Sequence, residues 1–551
     1  MSATVPTGGQ LVGEALAKEG VRVVFTLCGG HILPIYEGCL DRDIRVIDVR
    51  HEQTAAFAAD GWARVTGEVG VAAVTAGPGV CNSLTAIVNA RNSDSPIVVL
   101  GGQAETGRQD QGGLQETPHV RILEPVTKWA QSCSQVKRLP EFVSDAFRHA
   151  SAPRTGPAFL EIPWDVLFDE VASESVDWKA ASRSRTPVWA HPDEVRRAAE
   201  ILATAERPAV IAGTSLRWSS DAAGLRALAD ALRAPVYLNS LARGALPPDH
   251  PYFLALSRSA ALEDADVVLD LGAPFDFRLG YGQAPAIAAD ARIIMADVAG
   301  DTIGHNRAVE VGLVGDVGII ARQIAASLKG LPVHEPTAWL EKLRSVEAGK
   351  RAKLDEGMKS DLRPVHALRL AKEIDRFVGE DTILVGDGGN IVASGSKIIR
   401  APWPGSWLDP GRFGCLGMGL PFALAAKLAK PDKRVLAFLG DGAFGISGME
   451  VDTLVRHRVP VVAVIGNDGA WAQIRGPQVG LYGEARAVAT RLGEATRYDE
   501  VAKALGGHGE FVDDPDAIGP AIERAFASGK PAVVNVLVDP ASNVGTGSYV
   551  M

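Results

Sequence analysis

Short apolar runs rich in β-branched residues recur along this chain and alternate with longer stretches that show the 3.6-residue periodicity of helices. The runs lie at residues 21–26, 44–48, 71–75, 97–100, 158–162, 209–212, 267–271, 292–297, 382–385, 434–440 and 460–466. Strands that alternate with helices form βαβ units, which build parallel sheets covered by helices on both faces. The pattern therefore predicts an α/β fold class made of doubly wound parallel-sheet domains.

Changes in composition divide the chain into three such domains. A polar stretch at 173–192 separates the first from the second, and a charged segment at 341–363, expected to form a helix and a connector, precedes the third. We predict domains at 1–172, 193–330 and 365–540, with a C-terminal tail at 541–551. A chain of 551 residues is too long for one core, which agrees with this division.

Composition and charge argue against several classes of protein. The 56 basic and 66 acidic residues give a formal net charge of −10, and the basic residues are scattered, so nucleic acid is not an expected partner. No apolar run approaches the roughly 18 residues that span a bilayer, and the N-terminus lacks signal-peptide features. We therefore expect a cytoplasmic protein without a membrane partner. The five cysteines include no C-x-x-C pair, which argues against a zinc site.

Two of the predicted strands lead into residues suited to a metal ion and a diphosphate. The run at 434–440 leads into Gly440-Asp441-Gly442, and the run at 460–466 leads into Asp468, 26 residues after Gly442. Neighbouring parallel strands bring such ends to one edge of a sheet. Asp441 offers the hard oxygen ligands that Mg²⁺ prefers, and a turn of small residues can point its backbone N–H groups at phosphate oxygens.

This spacing resembles the fingerprint of enzymes that use thiamine diphosphate (ThDP), and a segment far upstream strengthens the resemblance. Glu52, at the start of a helical run, resembles the glutamate with which those enzymes activate the cofactor. The alternative is an exposed glutamate favoured by the helix dipole. The three domains resemble the pyrimidine-binding, central and diphosphate-binding domains of the acetolactate synthase group over nearly the whole chain. The resemblance implies ThDP and Mg²⁺ as cofactors.

The resemblance carries the cofactor contacts over to individual positions of this chain. The implied metal ligands are Asp441, Asp468 and the backbone carbonyl of Ala470. Relatives have asparagine where this chain has Asp468, and the extra charge should tighten a hard cation while weakly repelling diphosphate. Leu416 is the implied wedge between the cofactor rings, with a core leucine as the alternative. The implied cofactor-binding residues are Glu52, Gly77, Asn82, Gly389, Asn390, Gly414, Leu416, Gly440, Gly442, Ala443, Asp468, Ala470 and Trp471.

Candidate catalytic and substrate-contacting residues surround the two motifs. His31 resembles a histidine of the benzaldehyde lyase type that relays protons to the substrate carbonyl, with a structural histidine as the alternative. Gln115 matches a loop that reaches the cofactor in relatives. Glu494 is a candidate acid or base, with a solvated helix-start carboxylate as the alternative. The implied substrate pocket consists of Gly30, His31, Leu114, Gln473 and Ile474.

The central domain carries residues at predicted strand ends where relatives bind a nucleotide. These residues are Gly213, Arg243, Arg278, Asp297 and Asp316. An acidic side chain at such a place can hold ribose hydroxyls. The resemblance leaves three alternatives open: ADP, FAD, which the sequence favours less, and no nucleotide.

The segments 25–32, 276–282 and 440–445 look most like the acetolactate synthase-like proteins grouped with the 2-hydroxyacyl-CoA lyases. The resemblance implies cleavage of a 2-hydroxyacyl-CoA into an aldehyde or ketone and formyl-CoA, reversible as an acyloin condensation. The tryptophan with which acetolactate synthases select their second keto acid is missing from the segment after Ile474.

Two alternatives to this function stay open. One is an acetolactate synthase-like or benzaldehyde lyase-like carboligase or decarboxylase that acts on free keto acids or acyloins. The other is a catalytically silent regulatory subunit of the same fold. In the family, the activating glutamate of one chain meets the cofactor held by another. The resemblance therefore implies a homodimer at minimum and favours a homotetramer.

Overall fold

The structure is a computed structural model that describes residues 5–176, 178, 184 and 186–542. Over these residues the strands pair in parallel and form three sheets, one after another along the chain, which confirms the predicted fold class. Residues 543–551, most of the predicted C-terminal tail, lie outside the described residues. None of the described helices is both long and apolar enough to cross a bilayer.

The first domain has the strand order β2-β1-β3-β4-β6-β5. Its strands are β1 (Val23–Thr26), β2 (Arg45–Asp48), β3 (Gly70–Val74), β4 (Ile97–Gln103), β5 (Trp129–Ser132) and β6 (Ala158–Pro163). Its helices are α1 (Gly8–Lys18), α2 (Leu33–Leu40), α3 (Glu52–Thr66), α4 (Pro78–Asn92), α5 (His119–Leu123), α6 (Leu139–Ser151) and α7 (Trp164–Phe168). The inner strands β3 and β4 are buried throughout, as expected for a parallel sheet with helices on both faces.

The central domain has the order β11-β10-β9-β7-β8. Its strands are β7 (Pro208–Ala212), β8 (Val236–Leu238), β9 (Val267–Leu271), β10 (Arg292–Asp297) and β11 (Val311–Val314). Its helices are α8 (Pro192–Ala203), α9 (Gly224–Leu232), α10 (Arg258–Asp264), α11 (Val317–Leu328) and α12 (Thr337–Met358). The last of these covers most of the charged segment for which the sequence predicts a helix and a connector.

The third domain repeats the strand order of the first, as β13-β12-β14-β15-β17-β16. Its strands are β12 (Thr382–Asp387), β13 (Trp407–Leu408), β14 (Arg434–Gly440), β15 (Val462–Asn467), β16 (His508–Val512) and β17 (Ala532–Leu537). Its helices are α13 (Ala367–Asp375), α14 (Asn390–Ile398), α15 (Gly419–Ala429), α16 (Asp441–Ser447), α17 (Glu450–Arg456), α18 (Ala472–Tyr482), α19 (Tyr498–Ala504) and α20 (Ile518–Ala527). The first and third domains therefore share one topology without a visible sequence repeat.

Helices α3 and α15 join the cores of the first and third domains. Helix α3 is buried from Thr54 to Val65, because one side packs on its own sheet and the other on α15. The rings of Phe57 and Phe422 meet edge to face with centroids 6.0 Å apart. A Cβ atom at Gly61 would lie 3.0 Å from the Cα atom of Phe422, so glycine permits the close approach of the two helices.

A buried ion pair at the end of α3 connects all three domains. Arg64 and Asp60 have fully buried side chains, with Arg64 Nε 2.7 Å from Asp60 Oδ1. Arg64 also donates to the backbone oxygen of Asp409 in the third domain at 2.7 Å and to Ser93 Oγ at 2.8 Å. The backbone oxygen of Arg64 accepts from Arg217 Nε of the central domain at 2.8 Å. Every charge in this cluster has hydrogen-bond partners, which offsets the cost of its burial.

Replacing Arg64 by alanine should destabilise the protein by about 3–5 kcal/mol, because Asp60 would stay buried without its cation. The measurement is the melting temperature of the first unfolding transition. Arg148→Ala is the matched control, since it breaks an exposed pair with Asp145 and should cost at most about 1 kcal/mol. Equal melting temperatures for the two variants would contradict this interpretation.

Candidate active site

The carboxyl edge of the third sheet brings the two predicted metal carboxylates together. Strands β14 and β15 are paired so that Gly440 lies opposite Gly466. Asp441 follows the first of these residues directly and opens α16, whereas Asp468 lies two residues beyond the second. The two aspartates therefore sit at neighbouring strand ends, as the spacing in the sequence predicts.

Asp441 is buried and shows the electrostatics of a cation site. Its Oδ1 accepts from the backbone N–H of Gly442 at 2.9 Å, and its Oδ2 accepts from that of Gly469 at 3.0 Å. Burial and the nearby charge of Asp468 raise the pKa of Asp441 to about 7. Two carboxylates held together away from water favour a divalent cation between them.

Hard oxygen donors fit Mg²⁺ better than a softer metal. Across the described residues there is no group of three or more His, Cys, Asp and Glu side chains that could hold a metal. The third protein ligand would therefore be a backbone oxygen, and Ala470, the predicted one, lines the same cleft. Asp441, Asp468 and Ala470 together would leave coordination positions for water and a diphosphate.

Glycines and helix N-termini form a cradle for phosphate oxygens beside these carboxylates. Helix α14 begins at Asn390 and α16 at Asp441, and both of these residues line the cleft. The first N–H groups of α14 have no acceptor within the helix, whereas the Gly442 N–H of α16 already donates to Asp441 Oδ1. A Cβ atom at Gly389 would lie 1.6 Å from Gln473 Oε1, and one at Gly442 would lie 2.4 Å from the ring of Trp471. Glycine at each position therefore permits the close approach of the Gln473 and Trp471 side chains to these turns.

A carboxylate that the sequence reasoning missed supports the loop at 414–419. Asp387 is fully buried at the end of β12, and its Oδ2 accepts from the backbone N–H groups of Gly417 at 3.0 Å and Gly419 at 2.8 Å. Its Oδ1 has no hydrogen-bond partner among the described residues, and burial raises the pKa of Asp387 to about 7. The loop it holds carries Leu416 into the cleft. The signal available in the sequence was an acidic residue, Asp387, two positions after the predicted strand at 382–385.

These elements line one cleft of about 990 Å³. The predicted residues that line it are Gly389, Asn390, Gly414, Leu416, Gly440, Asp441, Gly442, Ala443, Asp468, Ala470, Trp471, Gln473 and Ile474. The opposite wall comes from the central domain. Among the described lining residues, none belongs to the first domain.

The cationic wall of the cleft is built from residues of both the central and the third domain. Its basic residues are Arg243, Arg258, Arg278, Lys350, Lys397 and Arg412. The Nε atoms of Arg243 and Arg412 are buried without a hydrogen-bond partner in the described part of the chain. Burial also lowers the pKa of both side chains. Unsatisfied guanidinium N–H groups at a cleft wall are suited to an anionic group such as phosphate.

Of the predicted nucleotide residues, the structure brings only Arg243 and Arg278 to the cleft. Asp297 accepts from Ser215 Oγ at 2.9 Å within the central domain. Asp316 is the N-cap of α11 and accepts from the backbone of Gly318 at 3.0 Å. The remaining predicted residue, Gly213, closes against the next strand loop, where a Cβ atom would lie 2.3 Å from the Cα atom of Ala273.

Glu52 lies in the first domain and is held from two sides. It is the first residue of α3, 7% exposed, and its Oε2 accepts from Asn82 Nδ2 at 3.0 Å. The preceding turn is fixed by the third domain, because both carboxylate oxygens of Glu450 accept from the backbone N–H of Arg50 at 3.2 Å. Glu52 is therefore not an exposed glutamate at a helix start, and its side chain is held in one position by Asn82. Glu450 gave no signal in the sequence, since its role depends on a contact across 400 residues.

The predicted substrate-side residues of the first domain also come together. His31 Nδ1 lies 3.1 Å from Thr75 Oγ1, and that hydroxyl donates to Gln115 Oε1 at 3.3 Å. Burial lowers the pKa of His31, which keeps its imidazole neutral at pH 7. Gly77 lies against this group: a Cβ atom added at this glycine would be 2.7 Å from the backbone oxygen of Gln115.

The remaining predicted residues are exposed. Gly30 has open space beside it, and Leu114 has a side chain that is 77% exposed and a backbone that forms a hydrogen bond with His31. Glu494 is exposed near the metal turn, 3.7 Å from where a Cβ atom of Gly469 would lie, and it does not line the cleft. The predicted residues of one chain thus fall into two sets: a metal and phosphate cleft that Glu52 does not line, and a first-domain set in which Glu52 contacts Asn82 while His31 contacts Thr75.

Comparison with known families identifies matches to all three domains. The family model described as "Thiamine pyrophosphate enzyme, N-terminal TPP binding domain" matches residues 6–122. The central-domain model of the same family matches 195–324, and its C-terminal TPP binding domain matches 387–536. These three segments correspond to the three parallel sheets.

Full-length relatives carry two kinds of name. The "Probable acetolactate synthase" of Mycobacterium bovis and the "Acetolactate synthase large subunit IlvG" of Mycobacterium tuberculosis are each 43% identical over 97% of this chain and 96% of their own length. The "2-hydroxyacyl-CoA lyase 2" of Homo sapiens is 36% identical over 97% of this chain and 90% of its own length. The similarity therefore extends over the whole chain in both cases.

Metal-free protein should lose stability as the pH rises, because Asp441 and Asp387 keep their protons to about pH 7 when folded and ionise near pH 3.8 when unfolded. A pKa that is raised in the folded state adds stability below about pH 4, and this stability is lost as the pH passes through about 7. Mg²⁺ with ThDP should therefore raise the melting temperature more at pH 8 than at pH 5. Asp441→Asn should reduce the fall of melting temperature with rising pH. It should also remove the increase in melting temperature that Mg²⁺ and ThDP cause. A Mg²⁺-dependent shift of equal size at both pH values would contradict this assignment.

Proposed function

This chain belongs to the thiamine pyrophosphate (thiamine diphosphate) enzymes, and from that premise we propose that it is a ThDP- and Mg²⁺-dependent carbon–carbon lyase. The proposed reaction cleaves a 2-hydroxyacyl-CoA into an aldehyde or ketone and formyl-CoA, and it is reversible as an acyloin condensation. The identity to proteins named 2-hydroxyacyl-CoA lyase 2 supports the proposal, and the cationic wall of the cleft carries it.

The residues of the third domain fit the cofactor. When bound, ThDP supplies a carbon nucleophile that adds to carbonyl groups and accepts the electron pair of the breaking bond. Asp441, Asp468 and the Ala470 carbonyl would hold Mg²⁺, and the N-termini of α14 and α16 would bind the diphosphate. Leu416, which lines the same cleft, would contact the cofactor.

Glu52 and His31 are the groups that we propose to handle protons. A largely buried carboxyl suits Glu52 to share a proton with the aminopyrimidine ring of the cofactor. A neutral imidazole suits His31 to hold or pass a proton at the carbonyl or hydroxyl oxygen of the substrate. Gln115, which shares Thr75 with His31, would orient that same oxygen.

The size and charge of the cleft favour a large polyanionic substrate. Coenzyme A carries three phosphate groups, whereas a keto acid such as pyruvate carries one carboxylate. Arg243 and Arg412 are half-buried and line this cleft, and the buried Nε atom of each has no hydrogen-bond partner among the described residues. Their positive charges would attract an anion bound in the cleft. ADP is a second ligand that we propose for this wall, with FAD less favoured.

Two copies of the chain would complete the site. The first-domain residues of one copy, among them Glu52 and His31, would face the cleft of the other copy. Each active site would then consist of two half-sites, one from each chain. Leu114 at 77% and Ile474 at 63% exposure are apolar side chains that a second chain would cover in this arrangement. We therefore propose a homodimer as the minimum competent unit, with a homotetramer as the favoured assembly. The cytoplasmic location stays a prediction.

The second candidate is an acetolactate synthase-like carboligase that acts on free keto acids. The 43% identity to proteins named acetolactate synthase favours it. At the position after Ile474, Arg475 forms an ion pair with Glu484 on the same segment and does not reach across the cleft. The two candidates share the cofactor chemistry and differ in the group that the cationic wall binds.

Two substitutions should separate cofactor binding from cofactor activation. Asp441→Ala should abolish binding of Mg²⁺ and ThDP together, because it removes the buried carboxylate ligand. Glu52→Gln should keep ThDP affinity but slow hydrogen–deuterium exchange at the thiazolium C2 by about 100-fold or more. Affinity is measured by calorimetry and exchange by acid quench and NMR. A catalytically silent subunit would show slow exchange in the native protein as well, and unchanged exchange in Glu52→Gln would contradict its role as activator.

A substrate panel should identify the reaction. With ThDP and Mg²⁺ present, 2-hydroxyacyl-CoA thioesters should release formyl-CoA, whereas pyruvate and benzoin-type acyloins should react with much lower kcat/KM. Arg412→Met should raise KM for the thioester roughly tenfold and leave the slow reaction of pyruvate unchanged, since only the thioester carries phosphate groups. The control is Arg196→Met, on the exposed surface of the central domain. Acetolactate formation from pyruvate at the higher kcat/KM would establish the second candidate instead.

A further inference from the structure

A buried hydrogen-bond network lies beneath the substrate side of the first domain. His119, the first residue of α5, has no exposed surface. Its Nε2 lies 2.8 Å from the backbone nitrogen of Gly77, and its Nδ1 lies 2.8 Å from Glu161 Oε2 on β6. Gln103 Nε2 donates to the same Glu161 oxygen at 3.0 Å. Of these residues, only Gly77 was predicted from the sequence to belong to the site.

The donors around His119 decide which ring nitrogen carries the proton. A backbone N–H can only donate, so the Nε2 atom that faces Gly77 must be the acceptor. The proton therefore resides on Nδ1, which donates to Glu161. A carboxylate in this place fixes the tautomer and makes Nε2 a stronger acceptor, as carboxylates do for histidines that bind metals.

The turn at Gly77 depends on an external partner because its backbone is unusual. Gly77 has φ of 55° and ψ of −110°, a conformation open to glycine and strained for other residues. Gln115, which contacts it, also has a positive φ, of 59°. His119 stabilises both turns. It accepts a hydrogen bond from the backbone N–H of Gly77, and it is the first residue of helix α5, which follows the turn at Gln115.

Two reacting groups depend on the position of this turn. Helix α4 starts directly after it and carries Asn82, the residue that donates to Glu52. On the strand side of the turn, Thr75 connects His31 to Gln115. A displacement of the turn would therefore move the group that holds the activator and the wall that meets the substrate.

We propose that His119, oriented by Glu161, is a positioning residue for the active site. Its ring nitrogens lie, among the described residues, within hydrogen-bond distance of Gly77, Glu161 and Gln103, and His119 acts by holding the turn from which Asn82 and Thr75 are placed. The proposal rests on the proposed function for the roles of Glu52 and His31. The metal and diphosphate residues lie in the third domain, so loss of His119 should change rates and leave cofactor affinity intact.

The experiment compares His119→Phe, which keeps a ring beside Phe159 and removes the acceptor, with His119→Gln, whose Oε1 can accept from Gly77. His119→Phe should slow C2 exchange of bound ThDP by about 10- to 100-fold, with ThDP affinity unchanged. His119→Gln should restore most of that loss. In cofactor-free protein, hydrogen exchange of the peptide covering 74–84 should be faster in His119→Phe alone. His149→Phe, at a half-buried histidine stacked on Trp129, is the control and should leave every readout unchanged.

The possible outcomes separate this proposal from the others. C2 exchange needs no acyl substrate, so an incorrect substrate assignment does not affect it. Native exchange rates at C2 and at 74–84 in a folded His119→Phe would overturn the proposal, as would equal impairment of His119→Gln and His119→Phe. If His119→Phe does not fold, Glu161→Gln replaces it: slower C2 exchange with retained ThDP affinity supports the positioning role, and native exchange overturns it.

Discussion

The packing of helix α3 between its own sheet and α15 determines where the chemistry of this protein can take place. Because α3 is buried over nearly its whole length, its first residue cannot shift without opening a core shared by two domains. The Arg64–Asp60 pair fixes the other end of the helix to all three domains. Glu52 is therefore held rigidly in a place that the cleft of its own chain does not include. We therefore propose that a second chain completes each site, because this packing holds Glu52 in place away from the cleft of its own chain.

Charge is arranged along the cleft in two opposite groups. At one end, burial and the nearby charge of half-buried Asp468 raise the pKa of Asp441, and a divalent cation would stabilise both carboxylates. At the other end, the buried Nε atoms of Arg243 and Arg412 lack acceptors among the described residues. A ligand that brings a cation to the first end and phosphate groups to the second would satisfy both. The aspartate at 468, where related enzymes have asparagine, strengthens the first group, and Arg412 extends the second.

Sequence pattern located the inner strands of the three sheets and missed mainly the edge strands. The predicted runs at 267–271, 292–297 and 434–440 coincide with β9, β10 and β14. The strands that were not predicted are β5, β8, β11, β13, β16 and β17, and all except β17 lie at a sheet edge. Edge strands are short or partly exposed, so they lack the continuous apolar runs that mark buried parallel strands. Motif spacing likewise located Asp441, Asp468 and Glu52, because each follows a strand or opens a helix.

The residues that sequence reasoning missed share one property: each acts on a motif residue from a distant part of the chain. Glu450 holds the turn before Glu52 from 400 positions away, and Asp387 holds the 414–419 loop from the end of a different strand. His119 holds the Gly77 turn across 42 positions. A motif records which groups react, whereas their placement depends on buried partners that only the fold brings into contact. We therefore propose that substrate choice depends on these supporting contacts as well as on the motif residues, and that the cationic wall of the cleft contributes to it most directly.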